Sequence, residues 1–130
     1  MILIVCVDDH NGMMFNHRRQ SQDRILRADI LELTDGKKLW MNAYSRKQFA
    51  ESDAEKIRVD ETFLDAAGGG EFCFVENADV SGCVERIEEI YLYRWNRDYP
   101  ADVYFPVDLS VWKCVETKEF AGSSHEKITR

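Results

Sequence analysis

Apolar runs of strand length predict the centre of a sheet. Residues 1–7 and 72–75 contain no polar side chain, and a third apolar segment begins at Ile90. Runs without alternation indicate strands that are covered on both faces, as in a parallel sheet. We therefore expect these segments to form buried strands.

The second run opens a predicted βαβ unit. Glu76 and Asn77 form the turn after the strand, and Asn77 or Asp79 is placed to cap a short helix through Arg86. Ligands of α/β folds tend to bind at the carboxyl end of such a strand. Glu76 and Asn77 are thus candidate ligand contacts, although a phosphate-binding turn would carry glycines there.

Helical spacing predicts an amphipathic helix that ends at residues 34–36. Its apolar stripe repeats at intervals of four and three residues: Leu26, Ile30 and Leu33. Ser21 is the predicted N-cap. Asp23 lies in the predicted first turn, where a carboxylate suits the helix dipole.

The remaining pattern predicts shorter elements. They are a strand at 38–42, a helix at 43–51, a strand at 57–59, a helical turn at 62–67 and extended segments at 103–105, 111–115 and 120–128. Residues 8–24 are expected to form a long polar loop, in which Met13, Met14 and Phe15 either plug the core edge or line a pocket. The whole pattern predicts one α/β domain over residues 1–130, with a mainly parallel central sheet, flanking helices and antiparallel C-terminal strands.

Composition limits the classes of partner. The chain has 130 residues, 45% of them hydrophobic, which suits one globular domain. Its formal net charge of −7 argues against general affinity for nucleic acid or for an anionic membrane. The opening apolar run is too short for a signal peptide or a membrane span. We expect a cytoplasmic protein.

Cysteines, histidines and glycines show no metal or phosphate motif. Four cysteines lack CxxC spacing and are expected to be buried free thiols and not disulfides or zinc ligands: Cys6, Cys73, Cys83 and Cys114. Three histidines lack the spacing of metal ligands: His10, His17 and His125. The glycines at 68–70 precede a strand, whereas a P-loop places its glycines after one. No metal site is predicted.

A local basic patch departs from the acidic balance of the chain. It lies beside Phe15 and comprises His17, Arg18, Arg19, Arg24 and Arg27. Arginine with an aromatic neighbour can hold a phosphate and stack a base. The alternative is an ordinary solvated loop and helix face.

The order of these motifs resembles the dihydrofolate reductase family. Residues 102–106 (DVYFP), followed by Trp112 and Val115, are similar to the family's Asp-Thr-x-Phe-Pro and Trp-x-x-Val. Asn11-Gly12 resembles the Ile-Gly of the mobile active-site loop, and Phe15 falls near the Trp that follows that loop. The resemblance covers most of the chain and implies a dihydrofolate reductase-like fold.

The strand and helix at residues 39–49 resemble the family's Met-Gly-Arg-x-Thr segment, with Asn42 at the Gly, Ala43 at the Arg and Ser45 at the Thr. Ala43 therefore replaces a phosphate-binding arginine. Glu76-Asn77 stand where the family has a Gly-Gly pair, so a side chain blocks close approach and a carboxylate repels a pyrophosphate. The resemblance thus implies that NADPH binding is disfavoured, and no cofactor is expected.

Two roles are open for Asp23. The resemblance implies a proton-donating carboxylate in the first turn of the first helix. Counting back from Thr34 places Leu26 at that position, whereas counting from the preceding loop favours Asp23. In the alternative role, Asp23 compensates the helix dipole and takes no part in chemistry.

Three interpretations follow. The favoured one is a small dihydrofolate reductase-like domain without reductase activity that binds a nucleotide-like or pterin-like ligand, or a protein partner. The first alternative is an NADPH-dependent reductase with a rearranged cofactor site. The second rests on a similarity to small bacterial proteins that carry a ribonuclease label, and it is a nucleic-acid-processing protein that uses the arginine patch.

Overall fold

A computed structural model describes residues 1–49, 55–123 and 125–130. Within them the chain forms β1 Ile2–Val7, β2 Gly12–Phe15, β3 Arg18–Arg19, α1 Arg24–Leu33, β4 Leu39–Met41, α2 Ala43–Arg46, β5 Ile57–Val59, α3 Phe63–Ala66, β6 Phe72–Val75, β7 Glu89–Arg94, β8 Val103–Tyr104, β9 Glu119–Phe120 and β10 Ile128–Thr129. Short 3-10 helices occur at Lys47–Phe49, Ser81–Arg86 and Leu109–Val111.

Seven of these strands form one sheet in the order β5-β4-β6-β1-β7-β10-β9. The first five run parallel, and β10 is antiparallel to both of its neighbours. The predicted α/β fold, with its mainly parallel sheet and antiparallel C-terminal strands, is therefore confirmed. The connection from β6 to β7 crosses β1, which has a parallel partner on each side.

Two apolar layers cover the two faces of β1, which explains its uninterrupted apolar sequence. Leu3 and Val5 belong to one layer, and Ile4 belongs to the other, where it joins Leu26 and Ile30 of α1. All of these side chains are fully buried. The amphipathic stripe of α1 thus packs on the sheet as the sequence predicts.

The segment predicted as a long polar loop contains a β-hairpin. β2 and β3 pair antiparallel, with Phe15 opposite Arg18, and β8 adds a third strand beside β2. Asn16 and His17 occupy the two turn positions with φ values of 51° and 61°. A two-residue hairpin of the I′ type requires positive φ at both positions. The loop prediction is therefore wrong for residues 12–19.

Two methionines anchor this hairpin to the main sheet. Met13 and Met14 are buried in the same layer as Leu3, whereas Phe15 is 47% exposed. The methionines therefore plug the edge of the core. This packing fixes the position of β3, which carries Arg19 to the carboxyl edge of the sheet.

The helices are shorter than the sequence predicts. α2 ends at Arg46 and continues as a 3-10 turn, while residues 50 and 51 of the predicted helix lie outside the described residues. The connection at Ser81–Arg86 is a 3-10 helix with non-helical backbone at Cys83, not an α-helix. Gly82 precedes the irregular residue, and glycine inside a helix is destabilising.

One strand predicted in the C-terminal region does not form. Residues 111–115 make no strand pairing, and Val111 and Val115 are 79% and 86% exposed. Their β-branched composition favours a strand, but such a preference depends on packing against neighbouring strands. β9 and β10 do pair, with Ile128 opposite Phe120.

Two further findings concern thiols and membrane spans. All four cysteines are free, as predicted, but the predicted burial holds only for Cys73, since Cys6 and Cys83 are half-buried and Cys114 is exposed. No helix in the described part of the chain has the length and apolar character that crossing a membrane requires.

Candidate functional site

Polar residues follow the parallel strands at one edge of the sheet. Asp8, Asn42 and Glu76 come directly after β1, β4 and β6. Because parallel strands end at the same edge, these three residues lie at the position where α/β folds usually bind ligands. All three are buried polar groups.

Glu76 and Arg19 form a bidentate ion pair at this edge. Arg19 Nε donates to Glu76 Oε2 at 2.8 Å, and Arg19 Nη2 donates to Oε1 at 3.1 Å. Gln48 Nε2 donates to Glu76 Oε2 at 3.0 Å. The carboxylate that replaces the expected glycine turn is therefore neutralised from within the chain.

Tyr44 holds Arg19 in this inward position. The guanidinium lies 4.5 Å from the centre of the Tyr44 ring, and Nη2 donates to the Tyr44 carbonyl at 3.3 Å. Tyr44 Oη accepts the backbone N–H of Arg19 at 2.8 Å. Arg19 is thus part of the interior, whereas Arg18 and Arg24 of the predicted basic patch are exposed.

Asp8 is held as a charged group after β1. Burial is the largest single influence and raises the pKa of its carboxyl. The backbone N–H groups of Gly12, His10 and Tyr99 and the side chain of Gln20 together outweigh it, so the pKa lies below its ordinary value. Gly12 has no room for a side chain, because a Cβ there would lie 2.9 Å from Asp8 Oδ2 and 2.7 Å from Gln20 Nε2.

Asp23 is the N-cap of α1 and not a first-turn residue. Its Oδ1 accepts the backbone N–H groups of Ile25 at 2.9 Å, Leu26 at 3.2 Å and Ser123 at 3.0 Å. The predicted N-cap, Ser21, lies two residues earlier. Asp23 is buried, so its role in the fold is larger than compensation of a helix dipole at the surface.

His125 connects Asp23 to Ser21 and Tyr99. His125 Nδ1 lies 3.0 Å from Asp23 Oδ2, and Nε2 lies 3.1 Å from both Ser21 Oγ and Tyr99 Oη. The imidazole stacks on Trp95 with ring centres 4.5 Å apart. The histidines show no local spacing, so the sequence did not predict this cluster. Its two sequence signals were Ser21 as the predicted N-cap and Asp23 in the predicted first turn.

We expect Gly122→Ala to disrupt this cluster. A Cβ at position 122 would overlap Asp23 Oδ2 and lie 2.9 Å from Ile128 Cδ1, and both neighbours are buried. Overpacking of this kind costs about 1 to 3 kcal/mol. Urea unfolding at neutral pH measures the loss.

Gly69→Ala is the matched control for that substitution. A Cβ at position 69 would meet no atom within 4 Å. Its effect should stay within about 0.5 kcal/mol, as for ordinary surface substitutions. Equal stabilities of the two variants would contradict the close packing of Gly122 against Asp23.

A small cavity of about 10 Å³ lies between these groups. Its lining residues are Cys6, Met13, Arg19, Gln20, Ser21, Gln48, Val75, Glu76 and Trp95. The volume suits about one water molecule. Gln20 Oε1 is buried and has no hydrogen-bond partner in the part of the chain that the structure describes. A bound molecule with a hydrogen-bond donor could therefore satisfy Gln20 Oε1 at this cavity.

Cys6 lines the cavity without reactive character. Burial, followed by the charge of Glu76, raises the pKa of its thiol well above the ordinary value. The neutral thiol is a poor nucleophile and a poor metal ligand. Among residues 1–49, 55–123 and 125–130, no three His, Cys, Asp or Glu side chains are grouped to hold a metal ion.

Asn42, Ser45 and Asn77 form a separate contact beside Glu76. Asn42 Oδ1 accepts the backbone N–H of Ser45 at 3.0 Å, and Asn42 Nδ2 donates to Asn77 Oδ1 at 2.7 Å. Ser45 Oγ is buried and makes no hydrogen bond to any described residue. Asn42 therefore caps α2, and none of the three lines the cavity.

The other predicted contacts lie on or next to the hairpin, apart from Arg24, which is the first residue of α1. Asn11 adopts a φ of 63°, and its carbonyl accepts the Phe105 N–H at 2.9 Å, which joins the hairpin to the region of β8. Phe15 lies exposed beside Arg18. Of the residues predicted to bind ligand, Arg19 and Glu76 line the cavity. The role of the exposed arginines stays a prediction.

A larger groove lies away from this site. It has a volume of about 720 Å³ and is bordered by β7 and residues 112–118. Its lining includes none of the residues predicted to bind ligand. The two cavities are therefore distinct features of the fold.

Comparison with known proteins places the fold. No family model matches the sequence, and no curated protein matches it. A similar solved structure is dihydrofolate reductase from Enterococcus faecalis complexed with NADP(H) and RAB-propyl, with a TM-score of 0.67 and 11% identity. The match covers 98% of this chain and 93% of that chain. The chain therefore has a dihydrofolate reductase-like fold.

Proposed function

We propose that this domain binds a small heterocycle of the guanine or pterin type at the carboxyl edge of its sheet, and that it is not a nicotinamide-dependent reductase. The observation that carries this proposal is the buried carboxylate of Glu76, which accepts two parallel hydrogen bonds after β6. Such a carboxylate recognises paired donors, and it stands where α/β folds usually bind ligands.

The Arg19 side chain indicates which donors this carboxylate accepts. The guanidinium presents two N–H groups in a fork that matches the two oxygens of Glu76. A ring N–H beside an exocyclic amino group presents a similar pair of donors, as guanine and pterin rings do. Such a ring can replace Arg19 without leaving the carboxylate unpaired in the interior.

Gln20 supplies a second reason to expect a ligand with donors. Its Oε1 is buried beside the cavity without a partner among the described residues. Leaving a buried acceptor without a partner costs about 1 to 3 kcal/mol. An amino group of the ligand, or one water molecule in its absence, recovers that free energy.

Binding of a ring requires Arg19 to move. A cavity of about 10 Å³ cannot hold a heterocycle, so the ligand must displace the Arg19 side chain. Arg19 lies on the two-residue strand β3, whose other residue, Arg18, is exposed. The ligand shifts the protein toward the open state only by its preferential affinity for that state.

Two local features argue against a dinucleotide. The side chain of Glu76 occupies the space through which a pyrophosphate would approach the backbone after β6. At the start of α2, the N–H of Ala43 already donates to Glu61 Oε2 at 2.8 Å. A carboxylate therefore uses the donor that a phosphate would need. The similar reductase is complexed with NADP(H), whereas these two features oppose binding of the same cofactor here.

Thermal unfolding with guanine, guanosine and pterin tests the proposal. A ligand that binds only the native state raises the midpoint of unfolding, so we expect a rise with the wild-type protein. Glu76→Gln should abolish the rise because the amide cannot accept two parallel donors. Glu85→Gln, which changes an exposed carboxylate, should retain it. Absence of any rise, or a full rise in Glu76→Gln, would contradict the proposal.

A further inference from the structure

Ser21, His125 and Asp23 form a hydrogen-bonded chain in the order of a nucleophile, a base and an orienting carboxylate. Ser21 Oγ lies 3.1 Å from His125 Nε2, and His125 Nδ1 lies 3.0 Å from Asp23 Oδ2. Ser-His-Asp triads are recognised by these contacts and not by sequence position. We propose that this triad hydrolyses small carboxylic esters, with Ser21 as the nucleophile.

The surroundings of Asp23 fix the proton on the histidine. Because Oδ1 accepts three backbone N–H groups, Asp23 serves as an acceptor in this cluster. His125 Nδ1 therefore donates to Oδ2, and the lone pair lies on Nε2, which faces Ser21. Stacking on Trp95 keeps the imidazole plane in place. The base is thus oriented before any substrate arrives.

The burial of the three residues follows the same order. Asp23 and His125 are buried, whereas Ser21 is half-buried and lines the small cavity. The solvent-facing part of Ser21 lets a carbonyl group approach from outside the small cavity, while the two supporting side chains stay shielded from water. This arrangement keeps the base and its carboxylate in a low-dielectric setting, where their interaction is strong.

Arg19 supplies a donor for the developing negative charge. Its hydrogen bonds to Glu76 and Tyr44 use Nε and Nη2 and do not involve Nη1. Arg19 lines the same cavity as Ser21. A guanidinium N–H that lines the same cavity as the nucleophile can stabilise a tetrahedral oxyanion.

The reaction follows in two balanced halves. Ser21 Oγ forms a bond to the ester carbonyl carbon while His125 Nε2 takes the hydroxyl proton, and the alcohol leaves with that proton as its bond to carbon breaks. Water then attacks the acyl carbon, again losing a proton to Nε2. The bond to Ser21 Oγ breaks, and Oγ regains the proton from His125. The products are a carboxylic acid and an alcohol.

Tyr99 competes with Ser21 for the base. Tyr99 Oη lies 3.1 Å from the same Nε2 atom, and a single lone pair accepts fully from one hydroxyl at a time. Removal of that hydroxyl should end this competition between Tyr99 and Ser21. Tyr99→Phe should therefore raise the rate of ester hydrolysis several-fold.

Two measurements on the full chain test the proposal. A fluorophosphonate probe should label Ser21, as located by mass spectrometry of the digested protein. Hydrolysis of p-nitrophenyl acetate should fall about 100-fold or more in Ser21→Ala, since loss of the nucleophile also loses the contribution of its positioned base, which is on that order. Ser81→Ala, an exposed serine in the β6 to β7 connection, should keep the wild-type rate.

Three results would overturn the triad. They are absence of label on Ser21, an unchanged rate in Ser21→Ala, and a rate in Tyr99→Phe no higher than that of the wild type. Labelling is read on the wild-type protein, so it does not depend on how the variants fold. The test uses no heterocycle, so the triad and the ligand proposal can fail separately.

Discussion

Replacing Arg19 by alanine should lower the free energy of unfolding by about 3 kcal/mol. The change leaves the Glu76 carboxylate buried at the carboxyl end of β6 without its charged partner. The Glu76 side chain is 8% exposed and that of Arg19 is 21% exposed. Because water reaches the arginine side of the pair, we expect a value at the lower end of the range for broken buried ion pairs.

Arg18→Ala is the matched control for this variant. Arg18 is the exposed neighbour on the same short strand, and its loss should change stability by no more than about 0.5 kcal/mol. In the Glu76→Gln background, Arg19→Ala should cost less than in the wild type, because no charge is left behind. Urea unfolding gives all three values. Equal effects of Arg18→Ala and Arg19→Ala would show that the ion pair does not hold the edge together.

Asp23→Ala should also cost about 3 kcal/mol. Loss of an N-cap alone costs about 1 kcal/mol. Here the same carboxylate also accepts the Ser123 N–H and contacts His125, and buried donors without acceptors cost about 1 to 3 kcal/mol each. Asp23→Asn should be intermediate, because the amide oxygen can still cap α1 while its NH₂ group faces His125.

Asp79→Ala provides the comparison for Asp23. Asp79 is exposed and accepts the backbone N–H of Ser81 at 2.9 Å, so it makes a turn contact of the same kind without burial. Its loss should cost less than about 1 kcal/mol. Similar losses in Asp23→Ala and Asp79→Ala, measured by urea unfolding at neutral pH, would contradict the structural weight given to the cluster around His125.

The central strands could be predicted because their unbroken apolar sequence indicates burial on both faces. β1 and β6 are apolar on both faces, and both faces are in fact covered. The helical spacing of apolar residues in α1 likewise indicates a helix with one buried face. In each case the local pattern of hydrophobic residues, an unbroken run in the strands and a helical period in α1, is enough to predict the element.

The hairpin could not be predicted in the same way. β3 consists of two arginines, one exposed and one directed inward, so it shows no alternation of apolar residues. Its turn uses Asn16 and His17, whereas the recognisable signal for this turn type is Asn-Gly. At residues 111–115 the opposite error occurred: a strand was predicted that does not form, because the strand-favouring residues there have no partner strand.

The candidate site was only partly visible in the sequence. Glu76 and Asp23 could be selected because one follows a central strand and the other lies in the predicted first turn of a helix. The residues with which Glu76 and Asp23 interact in the site are distant in sequence. His125 follows Asp23 by 102 residues, and Arg19 precedes Glu76 by 57 residues. Only the folded chain brings these residues together, so no local sequence motif predicts their contacts.

We infer that the Glu76–Arg19 ion pair excludes a nicotinamide cofactor from the carboxyl edge of the sheet. Titration of the wild-type protein with NADPH tests this inference. Trp95 lines the cavity beside this pair and provides a fluorescence signal. We expect no saturable binding tighter than about 1 mM, equivalent to about −4 kcal/mol. Saturable quenching at micromolar NADPH would contradict the account.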